Sequence, residues 1–182
     1  MIDDNFVKVR EVTESDIQLL RYWRNNPKIQ KFMLNQDVIS YTDQVRWFKN
    51  IDQDHYKHFI YSFNDLDIGT FSIANIDYNK KTFEGGILCG NLDYLKNPIN
   101  LSVCLYLYQY AFSKLKLETG TARILRSNKT ALRLNHAIGY KNLNTSTPKV
   151  VHCEITKDEY LKKRTKYIDY LEKLSLWPVH FI

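Results

Sequence analysis

Between Phe59 and Gly90 the chain carries three successive strand patterns. Phe59, Tyr61 and Phe63 alternate, Ile68 to Ile76 follows the Asn64-Asp65 turn, and Thr82 to Gly90 makes a third run. Alternation cut by turn residues commits this stretch to an antiparallel meander, and everything else must pack on that sheet. The third run contains Gly85-Gly86, and glycine inside a strand marks a bulge or a close backbone approach.

The flanking segments alternate between helical and strand periods. Phe6, Val7, Val9 and Val12 predict a first strand, and Thr13 to Asp16 offers capping chemistry for a helix through Leu19, Leu20 and Trp23. Asn25-Asn26-Pro27 interrupts that helix, because proline disfavours helical geometry in the residue before it. A short second piece is expected to carry Ile29, Phe32 and Met33. Tyr41-Thr42-Asp43 starts another helix with Val45, Trp47, Phe48 and Ile51. Asn97-Pro98 starts a long buried one through Leu115. Thr119 to Leu125 then reads as a strand, Lys129 to Ile138 as a short helix stopped by Gly139, and Val150 to Ile155 as part of a last hairpin. A terminal helix runs from Thr156 toward Leu174. The prediction is one α/β domain over residues 1–182, with helices flanking a mixed, mostly antiparallel sheet.

Composition removes several classes of function. With 182 residues, 44% hydrophobic and only 6 Gly and 4 Pro, the chain is neither disordered nor low-complexity. Its apolar runs fall short of the roughly 20 residues a membrane span needs, and its acidic start lacks the pattern of a secretory leader. A cytoplasmic location is expected. The 3 cysteines have no ligand or disulfide spacing, so no metal site is expected. The net charge of +6 is spread along the chain, which reads as solvated helix faces and argues against nucleic-acid binding.

The segment Asn128-Lys-Thr-Ala131-Leu-Arg-Leu134-Asn-His-Ala-Ile138-Gly139-Tyr140 resembles the Asn-x-x-Ala-x-x-Leu-Tyr-x-x-x-Gly-Phe segment of the GCN5-related N-acetyltransferases (GNAT). Trp23-Arg24-Asn25-Asn26-Pro27, Phe32-Met33 and Gln44-x-x-Trp47-Phe48 are similar to a bacterial branch of that superfamily acting on nucleotide-linked amino sugars, including those of the pseudaminic-acid pathway. The resemblance covers nearly the whole chain. It implies an enzyme that moves an acetyl or related acyl group from acyl-CoA to the amine of such a sugar by direct attack, with no metal and with homodimers as a family expectation. The alternatives are protein N-terminal acetylation and a catalytically silent GNAT-like binding module. The phosphate loop departs from the family: Leu95-Lys-Asn-Pro98-Ile-Asn100 stands where Arg/Gln-x-x-Gly-x-Gly/Ala is usual.

On this resemblance, the glycine pair splays the third strand from the Thr119 to Leu125 strand and exposes amides for the pantetheine arm. An amide of Leu88 or Cys89 is expected to face the thioester oxygen. Lys96, Asn97 and the amides of Asn100 and Leu101 are the candidates for the pyrophosphate. Asn128 and Ala131 are expected beside the pantetheine. Glu84, just before the bulge, is the first candidate for a base, with His55, His58 and His136 as alternatives and His136 the best placed. Asn135 occupies the position of the family's proton-donating tyrosine and has no labile proton of suitable pKa. Arg24 and Asn25, at the break of the first helix, are expected to bind a sugar hydroxyl or diphosphate. Phe32, Met33, Tyr41 and Trp47 are expected to supply flat apolar surface.

Overall fold

A computed structural model describes residues 6–145 and 147–182. Its sheet is built on the predicted meander. β2 (Lys57–Phe63), β3 (Leu66–Asp77) and β4 (Thr82–Cys89) pair antiparallel in sequence. β1 (Val7–Glu11) adds antiparallel to β2, and β5 (Thr119–Leu125) adds parallel to β4. With β6 (Lys141–Asn142), β7 (Val150–Thr156) and β8 (His180–Phe181) the described sheet has the order β6-β7-β5-β4-β3-β2-β1-β8. β8, parallel to β1, has no counterpart in the sequence reading, because two residues are too short to show a period.

The helices begin and end where local chemistry dictates. α1 (Ile17–Asn25) stops at Asn26, whose ψ of 120° is extended, and Asn26 then caps α2 (Pro27–Gln30) by accepting from the Lys28 amide. Phe32 and Met33 lie beyond α2, in the loop leading to α3 (Tyr41–Lys49). Ser40 Oγ caps α3 by accepting from the Asp43 amide at 3.1 Å. α4 (Ile99–Gln109) carries no charged residue and continues through a wider turn at Tyr110–Lys114. α5 (Lys129–Ile138) ends at Gly139, whose φ of +116° is the left-handed conformation glycine tolerates. α6 (Lys157–Glu172) is capped by Thr156.

The sheet separates two apolar clusters. The larger one packs Val103, Leu107, Tyr108 and Phe112 from α4 and its continuation against Phe59, Phe71 and Phe83, and closes over Tyr160 of α6. Uncharged along its length, α4 is enclosed between sheet and α6, and its Ser102 hydroxyl donates to the Leu176 carbonyl. The smaller cluster sets Leu20 and Trp23 of α1 with Ile29 of α2 against Ile60 and Leu88. No described helix is long and apolar enough to cross a membrane.

β5 leaves β4 early. Their pairing ends at Glu84↔Thr121, while β5 stays paired with β7 along its whole length, from Thr119↔Thr156 to Leu125↔Val150. The expected bulge at Gly85-Gly86 does not occur, since the β3–β4 register runs unbroken from Gly69↔Cys89 to Ala74↔Glu84 and shifts only between Ala74 and Asp77. The glycine serves a close approach instead. A Cβ on Gly85 would lie 2.8 Å from the Tyr108 hydroxyl, which is hydrogen-bonded at 2.8 Å to the Tyr140 hydroxyl. Tyr140 in turn donates to the Thr121 carbonyl at 3.3 Å, so Tyr108 donates to Tyr140 and two buried rings occupy the fork.

A second close approach tests the smaller cluster. A Cβ on Gly90 would fall inside the Trp23 indole, which is 4% exposed. Gly90→Ala is expected to cost about 1–3 kcal/mol through displacement of Trp23, read as a lower urea midpoint with an unchanged slope.

Candidate functional site

Two cavities meet at the fork. One, of about 430 Å³, lies on the α1–α3 face and is walled by Arg24, Met33, Trp47, Tyr56, His58, Thr70, Ser72 and the Gly86–Leu88 edge. The other, of about 370 Å³, lies between the diverging strands, with Gly85 to Ile87 on one side and Ala122 to Ile124 on the other. α5 closes it with Asn128, Ala131 and Asn135, Tyr108 floors it, and Phe32 to Asn35 border it. Arg24, Met33, Gly86 and Ile87 line both.

The backbone of β4 fixes which amides face the opening. The Gly90 amide donates to the Ile68 carbonyl at 2.9 Å, which makes Ile68/Gly90 a bonded pair. By alternation Thr70/Leu88 and Ser72/Gly86 are bonded too, and the amides of Ile87 and Cys89 turn toward β5, which has already left. Leu88 is therefore corrected: its amide belongs to β3, and its side chain enters the larger cavity. The Cys89 amide faces the open side, while its thiol donates to the Asn91 carbonyl at 3.1 Å. Ile87, which the sequence reading missed, is the residue at the junction.

On α5, Asn128, Ala131 and Asn135 line the strand-fork cavity together. Asn128 caps the helix by accepting from the Ala131 amide at 3.1 Å, which leaves its Nδ2 for a ligand. Asn135 donates one Nδ2 hydrogen to the Ala131 carbonyl at 2.8 Å, which leaves its Oδ1 and second N–H open. His136, one residue on, points away: it is exposed and bonds Asn142 at 2.8 Å.

Glu84 also lies elsewhere than expected. Arg123 donates to both its oxygens, at 3.0 and 3.1 Å, and Asn75 donates to one at 3.0 Å. The carboxylate lines neither cavity. Asn25 is committed as well. Its Nδ2 donates to the Ile39 carbonyl and its Oδ1 accepts from the Ile39 amide, both at 2.8 Å, so it fastens the loop that borders both cavities. Tyr41 is 57% exposed at the start of α3 and lines neither cavity. Phe32 borders the strand-fork cavity, Met33 both, and Trp47 the larger one.

The larger cavity holds several polar groups. The Arg24 guanidinium has no hydrogen bond or ion pair among the described residues, its Nε is buried, and burial lowers its pKa. Burial likewise raises the Tyr56 phenol, with the Ser72 hydroxyl and Arg24 opposing. Gln44 is 5% exposed and lines the same wall. The Thr70 hydroxyl donates to the Phe59 carbonyl at 2.7 Å, so it must accept from His58 Nε2 at 2.5 Å, which assigns the proton to Nε2. His58 Nδ1 is buried without a partner, and burial, then the Arg24 charge, push the ring down to about 4. His58 is a neutral wall residue at pH 7.

The expected phosphate cradle is absent. Pro98 has no amide, and Asn97 Oδ1 takes the Ile99 amide at 3.0 Å. The Asn97 carbonyl takes the Asn100 amide at 3.2 Å, and the Pro98 carbonyl takes those of Leu101 and Ser102 at 2.9 and 3.1 Å. Lys96 and Asn97 are exposed, and none of Lys96, Asn97, Asn100 and Leu101 lines either cavity.

His58 links this site to stability. Its folded pKa lies below the unfolded value near 6.5, so the neutral ring's contribution is complete above about pH 6.5 and lost as pH falls toward 4. The urea midpoint is expected to drop across that window. The drop should be smaller in His58→Gln, whose amide can still donate to Thr70.

The family described as "Acetyltransferase (GNAT) domain" matches residues 9–149. Two Campylobacter jejuni proteins named acetyltransferase PseH are each 31% identical to this chain. One alignment covers 70% of this chain and 80% of the relative, the other 79% and 92%. Among solved structures, a spermidine N-acetyltransferase from Vibrio cholerae, in complex with CoA and spermine, superposes with a TM-score of 0.78 at 16% identity, over 85% of this chain and 98% of that one. A domain from Methanocaldococcus jannaschii gives 0.73 at 21%, over 82% and 97%. These two speak for the fold: a mixed sheet flanked by helices, forked between its two parallel central strands. The family match over most of the chain, together with the two 31% identical relatives, makes this protein a member of the GNAT acetyltransferases, an N-acetyltransferase that takes its acyl group from acyl-CoA.

Proposed function

We propose that the acceptor is the amine of a nucleotide-linked amino-deoxy sugar. The observation that carries this reading is the unpaired Arg24 guanidinium in an aromatic-walled cavity at the strand fork. A partly buried cation without a carboxylate is costly, and an anionic ligand offsets that cost. A sugar diphosphate brings such a charge, and Trp47 and Tyr56 supply faces for a pyranose or a base. A polyamine fits poorly. The cavity's one carboxylate, Asp43, already accepts from Arg46 at 3.0 Å and from Ser40 at 2.6 Å. The likeness to the PseH proteins supports the same reading.

In this scheme the pantetheine lies along the open edge of β4, against Asn128, Ala131 and Asn135. The Ile87 amide, at the junction, faces the thioester oxygen as negative charge develops on it. The amine enters from the Arg24 side, attacks the carbonyl carbon and displaces the thiolate. A sugar amine has a pKa near ~8, so a useful fraction is neutral at pH 7. Its proton passes to water in the cavity, since Glu84 is held by Arg123 and the neutral His58 ring has its one unprotonated nitrogen buried. A CoA thiolate is a fair leaving group, and Asn135 assists only by orientation.

Thiol release should be measured with acetyl-CoA against UDP- and dTDP-linked amino sugars and spermidine. Release on an amino sugar is the expected result, and release on spermidine alone would reject the reading. With the active sugar, Arg24→Met should raise its KM at least about tenfold, as loss of a charge-assisted hydrogen bond predicts, while the KM for acetyl-CoA stays within about twofold. Glu84→Gln should keep kcat within about threefold. A fall of ~10²-fold or more would instead restore Glu84 as the base.

A further inference from the structure

The two halves of the donor site are built unequally. The half that meets pantetheine has open groups: the β4 amides turned to the fork, Asn128 Nδ2 and the surface of Ala131. The half that would meet the pyrophosphate is closed by its own hydrogen bonds. All the amides of the first turn of α4 are taken by Asn97 and Pro98, so the helix end has no spare backbone amide for an anion, and the exposed Lys96 side chain is the nearest cation.

Asn100 makes this closure hard to undo. Its Oδ1 accepts from the Tyr61 hydroxyl at 2.7 Å, and its Nδ2 donates to the Tyr94 carbonyl at 2.6 Å. Tyr61 is fully buried, so the Asn100 side chain is anchored to the core at the position where a family glycine would leave room for phosphate. Freeing the loop would strand a buried hydroxyl as well as the Asn100 amide.

We infer that this enzyme recognises its donor by the acylated pantetheine arm and gains little from the nucleotide end of CoA. Its donor class is then any acyl thioester carried on pantetheine, of which acetyl-CoA is one. This rests on the acyl-CoA assignment and not on the sugar reading, so it can be tested without an acceptor.

CoA, dephospho-CoA and pantetheine should be titrated calorimetrically into the purified protein at high salt, where long-range attraction to the basic surface is screened. The expected result is three dissociation constants within about fivefold of one another. CoA binding at least about tenfold tighter than pantetheine, or no binding of pantetheine, overturns the inference. Pro98→Gly combined with Asn100→Gly should tighten CoA about tenfold or more without changing pantetheine. Equal tightening of both would also overturn it. Should that variant fail to fold, the three wild-type titrations decide alone.

Discussion

The site depends on where β4 and β5 part. A parallel pair that continued past Glu84 would consume the β4 amides in its own ladder and close the cavity between the strands. What stops it is steric. The Tyr108 hydroxyl stands where a side chain at position 85 would be, and the Tyr108–Tyr140 pair fills the fork while Tyr140 holds the Thr121 carbonyl. Burial raises both phenols well above the usual tyrosine range, so the pair stays neutral and acts as a fixed wedge. α4 supplies Tyr108, and its burial between the sheet and α6 holds that wedge in place.

This division explains what sequence could and could not show. The meander, the capped helices, the stop at Gly139 and the split at Pro27 follow from local periodicity and backbone preference, and they appear with nearly the expected bounds. The motif residues Asn128, Ala131 and Asn135 share one cavity because spacings of three and four place them on one helix face. The failures are non-local. Glu84 had the right type and position for a base, but its Arg123 partner lies 39 residues on, in β5. Asn25 read as a free donor at a helix break, whereas Ile39 claims both ends of its amide. Thr70, Tyr56 and Ile87 gave no signal, because each matters only through the neighbour that the sheet register brings to it.

Electrostatics sharpen the contrast between the cavities. The larger one holds a desolvated arginine, a phenol kept neutral and an imidazole kept neutral by burial; the Arg24 charge adds to the suppression of His58 and opposes the rise in Tyr56. A positive, weakly solvated pocket of this kind favours an anion over another cation. An anion at Arg24 would also relieve the pressure on His58, so the ring's proton affinity rises only once a charged acceptor is bound.

The closed start of α4 follows from the same rule that fixes the rest of the fold: buried or clustered polar groups find partners. A glycine-rich loop leaves amides unpaired and needs a ligand to satisfy them. Here asparagine and proline satisfy them from within, and Asn100 further satisfies the buried Tyr61 hydroxyl. The exchange gives the free enzyme a better-ordered loop and removes a built-in affinity for phosphate. Selection of the donor then falls to the strand edge and to α5, the two surfaces that the tyrosine wedge holds apart.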